Sequence, residues 1–157
     1  MVFELVPFSG VDLFKFDVSR SYVYSVIGEP DRKVKKAGRK YVHEAWFKMG
    51  VHLYFDGEDL KEVNIQPPIV EANEVPSVKF LFLNYDIFSM PPEYIYSELC
   101  MLDGSPVEKV GSTILPHLGV GLYGFDNFSS DEQDERSFAL YGRDVVQQLI
   151  NDTNFNK

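Results

Sequence analysis

The sequence predicts an α+β fold: two tandem helix-plus-antiparallel-meander repeats forming one sheet or two adjacent sheets, with short helices on one face. Three observations predict it. Short motifs recur in the same order, Tyr22-Val23-Tyr24-Ser25 returning as Tyr94-Ile95-Tyr96-Ser97, Gly28-Glu29-Pro30 as Gly104-Ser105-Pro106, and Gly50-Val51-His52-Leu53-Tyr54 as Gly119-Val120-Gly121-Leu122-Tyr123. Segments bounded by glycine turns alternate apolar and polar residues with the period of a strand. A Pro-bounded acidic stretch, Gln66 to Pro76, falls between the two sets of motifs. The expected organisation is therefore a first repeat over 1–66, a linker over 67–77, and a second, acidic repeat over 78–157 that ends in a helix.

Each element has a local reason. Ser19 and Ser21 can cap a helix through Tyr22 to Ile27, which Gly28 and Pro30 end. A loop rich in Lys and Arg leads to three strands, Tyr41 to Lys48, Val51 to Asp56 and Leu60 to Ile65, joined at Met49-Gly50 and Gly57-Glu58-Asp59. In the second of them Val51, Leu53 and Phe55 point one way and His52, Tyr54 and Asp56 the other. Val78 to Phe88 reads as one strand covered on both sides. Pro91, Pro92 and Glu93 suit the first turn of a helix through Tyr94 to Leu102. Ser105-Pro106-Val107-Glu108 has capping-box spacing and predicts a short helix through Val110. Strands at Gly119 to Phe125 and Arg136 to Tyr141 and a terminal helix over Asp144 to Ile150 complete the chain.

Composition bounds the function. The 157 residues carry a net charge of −9, with 13 Phe, 9 Tyr and one Trp. Residues 1–76 hold 10 Lys/Arg against 12 Asp/Glu, and residues 77–157 hold 5 against 12, so the second half is the acidic one. Such a field repels nucleic acid and anionic lipid and attracts a basic partner. The basic run Arg32 to Lys36 with Arg39-Lys40 is short and reads as a solvated loop. No apolar run approaches the roughly 20 residues that span a bilayer, and Glu4 stands where a signal peptide carries positive charge. A cytoplasmic protein is expected. The lone Cys100, flanked by Leu99, Met101 and Leu102, reads as a structural thiol.

Residue patterns that carry chemistry are few. His43, His52 and His117 lack metal-ligand spacing, and His43 and Glu44 on one strand point to opposite faces, which leaves a surface histidine beside a surface acid. Neither a nucleophile elbow nor a phosphate-binding glycine loop is present, and Gly119-Val120-Gly121 with Gly124 reads as strand. No enzyme, metal or cofactor is expected. The loop from Asp126 to Glu135 lacks the glycine of a calcium loop and reads as a solvated hairpin tip or a lure for basic residues. Tyr54 and Tyr123 take matching places in the two repeats, with Trp46 in a strand beside them, and such rings on an open sheet face are typical interface anchors. Their alternative is a place in the core.

Short helices, a Gly-x-Pro turn and an antiparallel meander together resemble the repeated unit of beta-lactamase inhibitory protein. The related domain of small outer-membrane assembly lipoproteins is similar. The residues that carry the likeness are Val23, Ile27, Gly28-Glu29-Pro30, Trp46 and Leu53-Tyr54-Phe55-Asp56-Gly57, then Ile95, Gly104-Ser105-Pro106 and Leu122-Tyr123. The chain departs from both in having neither a lipidated cysteine nor paired cysteines. Small acidic proteins of this architecture are also similar to bacterial immunity proteins, which bind and block a toxin. That resemblance implies a non-catalytic inhibitor of a basic protein toxin, of which nucleases are one kind. Trp46, Tyr54 and Tyr123 would be its anchors and Asp126, Asp131, Glu132, Asp134 and Glu135 its steering charges. Two other readings stay open: a ligand pocket using His117, His52 or Glu44, and a structural homodimer through the aromatic face.

Overall fold

Alternation along the strands and a few left-handed turns determine how the chain is layered. The computed structural model describes residues 1–126 and 134–151. The first residues form three short strands, β1 (Val2–Val6), β2 (Gly10–Val11) and β3 (Phe14–Lys15). Helix α1 (Arg20–Ile27) follows, with the Ser19 hydroxyl accepting from the Tyr22 amide and Gly28 closing it at φ +81°. β4 (Arg32–Val34), β5 (Val42–Trp46), β6 (Val51–Asp56) and β7 (Asp59–Ile65) form the first meander.

β8 (Lys79–Phe82) and β9 (Tyr85–Asp86) lie where a single strand is expected. Leu83 and Asn84, both at positive φ, turn the chain between them. Leucine is a poor residue for that conformation, which is why the turn leaves little mark in the sequence. Helix α2 (Pro92–Asp103) ends at a left-handed Gly104. The expected capping-box helix is instead β10 (Val107–Lys109), paired with β11 (Ser112–Leu115). The Asp103 carboxylate accepts from the Ser105 amide, and this turn leads from the end of α2 into β10. β12 (Val120–Tyr123), β13 (Ser137–Tyr141) and helix α3 (Arg143–Asn151) complete the described fold.

The strands form two sheets. One is small, in the order β3-β2-β1-β8-β9, with β1 and β8 parallel and joining the two halves of the chain. The other has eight strands in the order β10-β11-β12-β13-β7-β6-β5-β4. Its centre is the antiparallel pair β7 and β13, which matches Val63 to Leu140 and Ile65 to Phe138. Each half thus contributes four strands, running inward from the edge.

The core lies between the two sheets and under α1 and α2. Phe3 stacks on Phe80, Phe82 meets Phe138 edge-on at 5.1 Å, and Leu53, Val63, Leu122 and Leu140 come up from the large sheet. The two similar quartets both lie in helices, one in α1 and one in α2. Val23 of α1 and Ile95 of α2 are buried, while Tyr24 reaches Glu44 on β5 and Tyr96 reaches Thr113 on β11. Cys100 packs against the core, and burial pushes its thiol pKa up. Among the described residues no helix is long and apolar enough to cross a membrane.

Candidate functional site

Register decides what meets on the face of the large sheet that points away from the core. Val34 of β4 lies opposite His43 of β5, His43 opposite Tyr54 of β6, Tyr54 opposite Glu62 of β7, and Glu62 opposite Tyr141 of β13. The neighbouring row holds Arg32, Ala45, His52, Asn64 and Ala139. His43 and His52, nine residues apart, therefore become diagonal neighbours on one face. One imidazole donates to the other, Nε2 of His43 and Nδ1 of His52 lying 2.9 Å apart. The His43 ring also lies flat on Tyr54, centroids 4.7 Å apart and planes within 6°.

This half of the face is an open cleft of about 460 Å³. Its lining includes His43, Tyr54 and Glu62 from the strands and Lys36, Arg39 and Tyr41 from the loop between β4 and β5. Burial shifts the titrating groups. His52 is lowered to about 4 by desolvation and then by His43, while His43 is lowered by desolvation and then by the positive charges of Arg32 and Lys36. Both rings are neutral at pH 7. Desolvation raises the Glu62 carboxyl to about 7, and it raises Tyr54 and Tyr141 as well. The sequence treats these histidines as unrelated; the signal that joins them is the tight turn at Met49-Gly50, which fixes the β5–β6 register.

Glu44 is no surface acid. It is fully buried on the core side of β5, where the Arg20 guanidinium donates to it at 2.5 Å and the Tyr24 hydroxyl donates to its other oxygen. His117 is likewise committed, its Nδ1–H donating to the Asp103 carbonyl at 2.8 Å while the Asp103 carboxylate accepts from the His117 and Leu118 amides. That brace ties the end of α2 to the β11–β12 turn. Neither residue lines the cleft.

The expected anchors separate. Trp46 pairs with Val51 and so faces the core; it is 3% exposed, and its indole N–H donates to the Gly28 carbonyl. This corrects its placement beside Tyr54, because β5 turns residues 43 and 45 outward and residues 44 and 46 inward. Tyr54 lies in the cleft. Tyr123 is 43% exposed at the far end of β12, its ring over Gly111, with Val110 73% exposed beside it.

Of the expected steering charges, Asp126 and Glu135 are exposed, and Asp131 and Glu132 lie outside the described residues. Asp134 is not a free charge: Arg136, whose guanidinium lies against the stacked Phe88 and Phe125 rings, donates to it at 3.0 and 2.8 Å. Burial works against its ionisation, but the arginine outweighs this and holds the carboxyl below the usual range.

The second half of the same face is covered. Ile114 and Ala139 point away from the main core yet are buried, and Val146 of α3 is buried without joining that core. The Lys109 ammonium on β10 donates to the Ile150 carbonyl of α3 at 3.5 Å, which carries the helix to this side. Gly121 stands where β6 has His52, and a Cβ there would lie 3.0 Å from the Tyr141 ring. The two halves therefore present different chemistry, one a basic-rimmed cleft and the other an acidic, aromatic tip. No family model, curated protein or solved structure matches the chain.

Proposed function

We propose that this chain acts by binding, as a non-catalytic inhibitor that neutralises a basic protein partner in the manner of a bacterial immunity protein. The observation that carries the reading is the tip of the second meander, where exposed Tyr123 and Val110 lie at the root of a loop that is acidic from Asp126 to Glu135. An exposed ring supplies contact area at little entropic loss, and a ring of acids raises the rate of encounter with a basic surface. Glu44, Asp103, Asp134, Arg136 and His117 are committed to structural partners, and the partly buried titrating groups His43 and Glu62 line the cleft and not this tip. In this reading the partner meets Tyr123 and the acids Asp126, Asp131, Glu132 and Glu135, with Asp134 holding the loop's base.

The test begins with capture of a basic protein in one-to-one ratio by the tagged chain at low salt. Association rates are then measured by stopped flow for the wild type and for a variant with Asp126, Asp131, Glu132 and Glu135 changed to Asn or Gln. Asp134 is left in place because Arg136 needs it. The expected outcome is a fall of about tenfold at low ionic strength and a flatter salt dependence. Equal rates in the two proteins would remove the acids from the mechanism, and failure to capture any basic partner would overturn the reading.

A further inference from the structure

The cleft over β4–β7 plays no part in docking at the acidic tip. The β4–β5 loop lies beyond Val34 and Val42, at one end of the large sheet, and the β12–β13 loop lies beyond Tyr123 and Ser137, at the opposite end. This follows because β7 and β13 run antiparallel, Glu62 matching Tyr141 and Ile65 matching Phe138. The cleft thus has a separate chemistry to explain.

Its charge comes from two side chains. Lys40 is paired with Asp56 at 3.2 Å, whereas Lys36 and Arg39 make no ion pair among the described residues, and both line the cleft. They lie at the ends of one tight turn, closed by the Arg39 amide donating to the Lys36 carbonyl at 3.1 Å. Below them the parallel His43 and Tyr54 rings form an aromatic wall with Tyr41 nearby. Neutral imidazoles add no positive charge at pH 7, so selection by charge rests with Lys36 and Arg39. A volume of about 460 Å³ lies in the range of small-molecule sites.

We propose that this cleft binds a small planar organic anion, an aromatic ring bearing a phosphate or a carboxylate, with the anionic group between Lys36 and Arg39 and the ring against the His43–Tyr54 wall. A guanidinium beside an ammonium suits either oxyanion, and a stacked aromatic pair offers the flat apolar surface that the body of such a ligand needs. Glu62 lies at the ring end, away from the anionic group.

Phenyl phosphate, benzoate and inorganic phosphate are titrated separately into the full chain, followed by backbone and aromatic-ring NMR shifts. Saturable binding of phenyl phosphate or benzoate is expected, with shifts confined to residues 34–43, Tyr54 and Glu62, and with at least tenfold weaker binding of inorganic phosphate. The better of the two aromatic probes identifies the head group. The double variant Lys36→Gln/Arg39→Gln changes exposed side chains and leaves the fold intact; it is expected to weaken binding at least tenfold. Tyr54→Leu is expected to erase the preference for the aromatic probe over inorganic phosphate. Absence of saturable binding by both aromatic probes, equal affinity for inorganic phosphate, or affinity unchanged in the double variant would each overturn the proposal. None of these outcomes depends on whether a basic protein binds the acidic tip.

Discussion

On one face of a single eight-stranded sheet, β4–β7 leave an open cleft and β10–β13 carry a helix. Each set is an antiparallel run of four strands, and short stretches of the two are alike in sequence: Gly50 and Gly119, Leu53 and Leu122, Tyr54 and Tyr123. The difference comes from three places. His52 has Gly121 as its counterpart, which makes room for the Tyr141 ring. The β4–β5 connection is a cationic loop, whereas β10 and β11 are joined through Val110 and Gly111 alone. Only the second meander is followed by an amphipathic helix, which folds back over it. A sheet face is thus made a site or a packing surface by a few side chains and a connection, while the ladders beneath stay alike.

The largest effect that would break this comparison is at the glycines that open β6 and β12. Gly50 is at φ +73°, and a Cβ there would lie 2.0 Å from the Gln66 carbonyl oxygen. That neighbour is backbone and cannot move aside, so Gly50→Ala is expected to destabilise by about 4 kcal/mol. Gly119 is at φ +70°, but its nearest neighbour is the Phe8 side chain at 2.8 Å, which can swing. For Gly119→Ala about 2 kcal/mol is expected. Urea unfolding of the two variants checks the ranking, and equal losses would mean that the close approach at Gly50 relaxes without strain.

Next in size is the carboxyl in the cleft. The folded pKa of Glu62 is raised to about 7, so its contribution to stability is complete below the unfolded value near 4.5 and is lost as pH rises through 7. Glu62→Gln lacks this loss. The full shift is worth about 3 kcal/mol, and water at the open side of the cleft reduces it to about 1–2 kcal/mol. The variant is therefore expected to gain that much over wild type between pH 4.5 and pH 8, measured by urea midpoints. A difference that stays constant with pH would show the carboxyl to be as well solvated as a surface acid.

Much of the fold is legible in the sequence, and what is not has physical causes. Helices α1 and α2 announce themselves through Ser19 and Gly28, Pro92 and Gly104, and the β6 alternation sorts core from outer face. Leu83-Asn84 hides a hairpin because leucine at positive φ is not a residue that signals a left-handed turn. β10 replaces a helix because pairing with β11 outweighs a local capping pattern. β1 to β3 have segments too short for periodicity to register. The cleft is hidden for a different reason: its residues come from four strands and a loop, and only register brings them together. For Trp46 the sequence leaves an open face and the core as alternatives, because aromatic content alone does not say which side of a strand a ring takes; the β5 register decides for the core.

The smallest effect distinguishes His52 from its glycine counterpart. With its folded pKa lowered to about 4, His52 stays neutral in the folded chain where an unfolded histidine would take up a proton. Its contribution to stability is therefore complete above pH 6.5 and is lost as pH falls towards 4, opposite in sign to that of Glu62. The two windows overlap and their slopes oppose each other, so the acid limb is the His52 share, read as variant minus wild type; it belongs to the first half of the sheet, since Gly121 has nothing to titrate. His52→Asn keeps a hydrogen-bonding side chain beside His43 and removes the charge change. It is expected to flatten the acid limb by about 1 kcal/mol between pH 6.5 and pH 4.5, read from urea midpoints at half-unit steps. His43 moves with it, because one ring donates its N–H to the other across 2.9 Å. A second variant, His43→Asn, is therefore expected to flatten the same limb by less, and an acid limb unchanged in both would remove the histidine pair from the pH dependence.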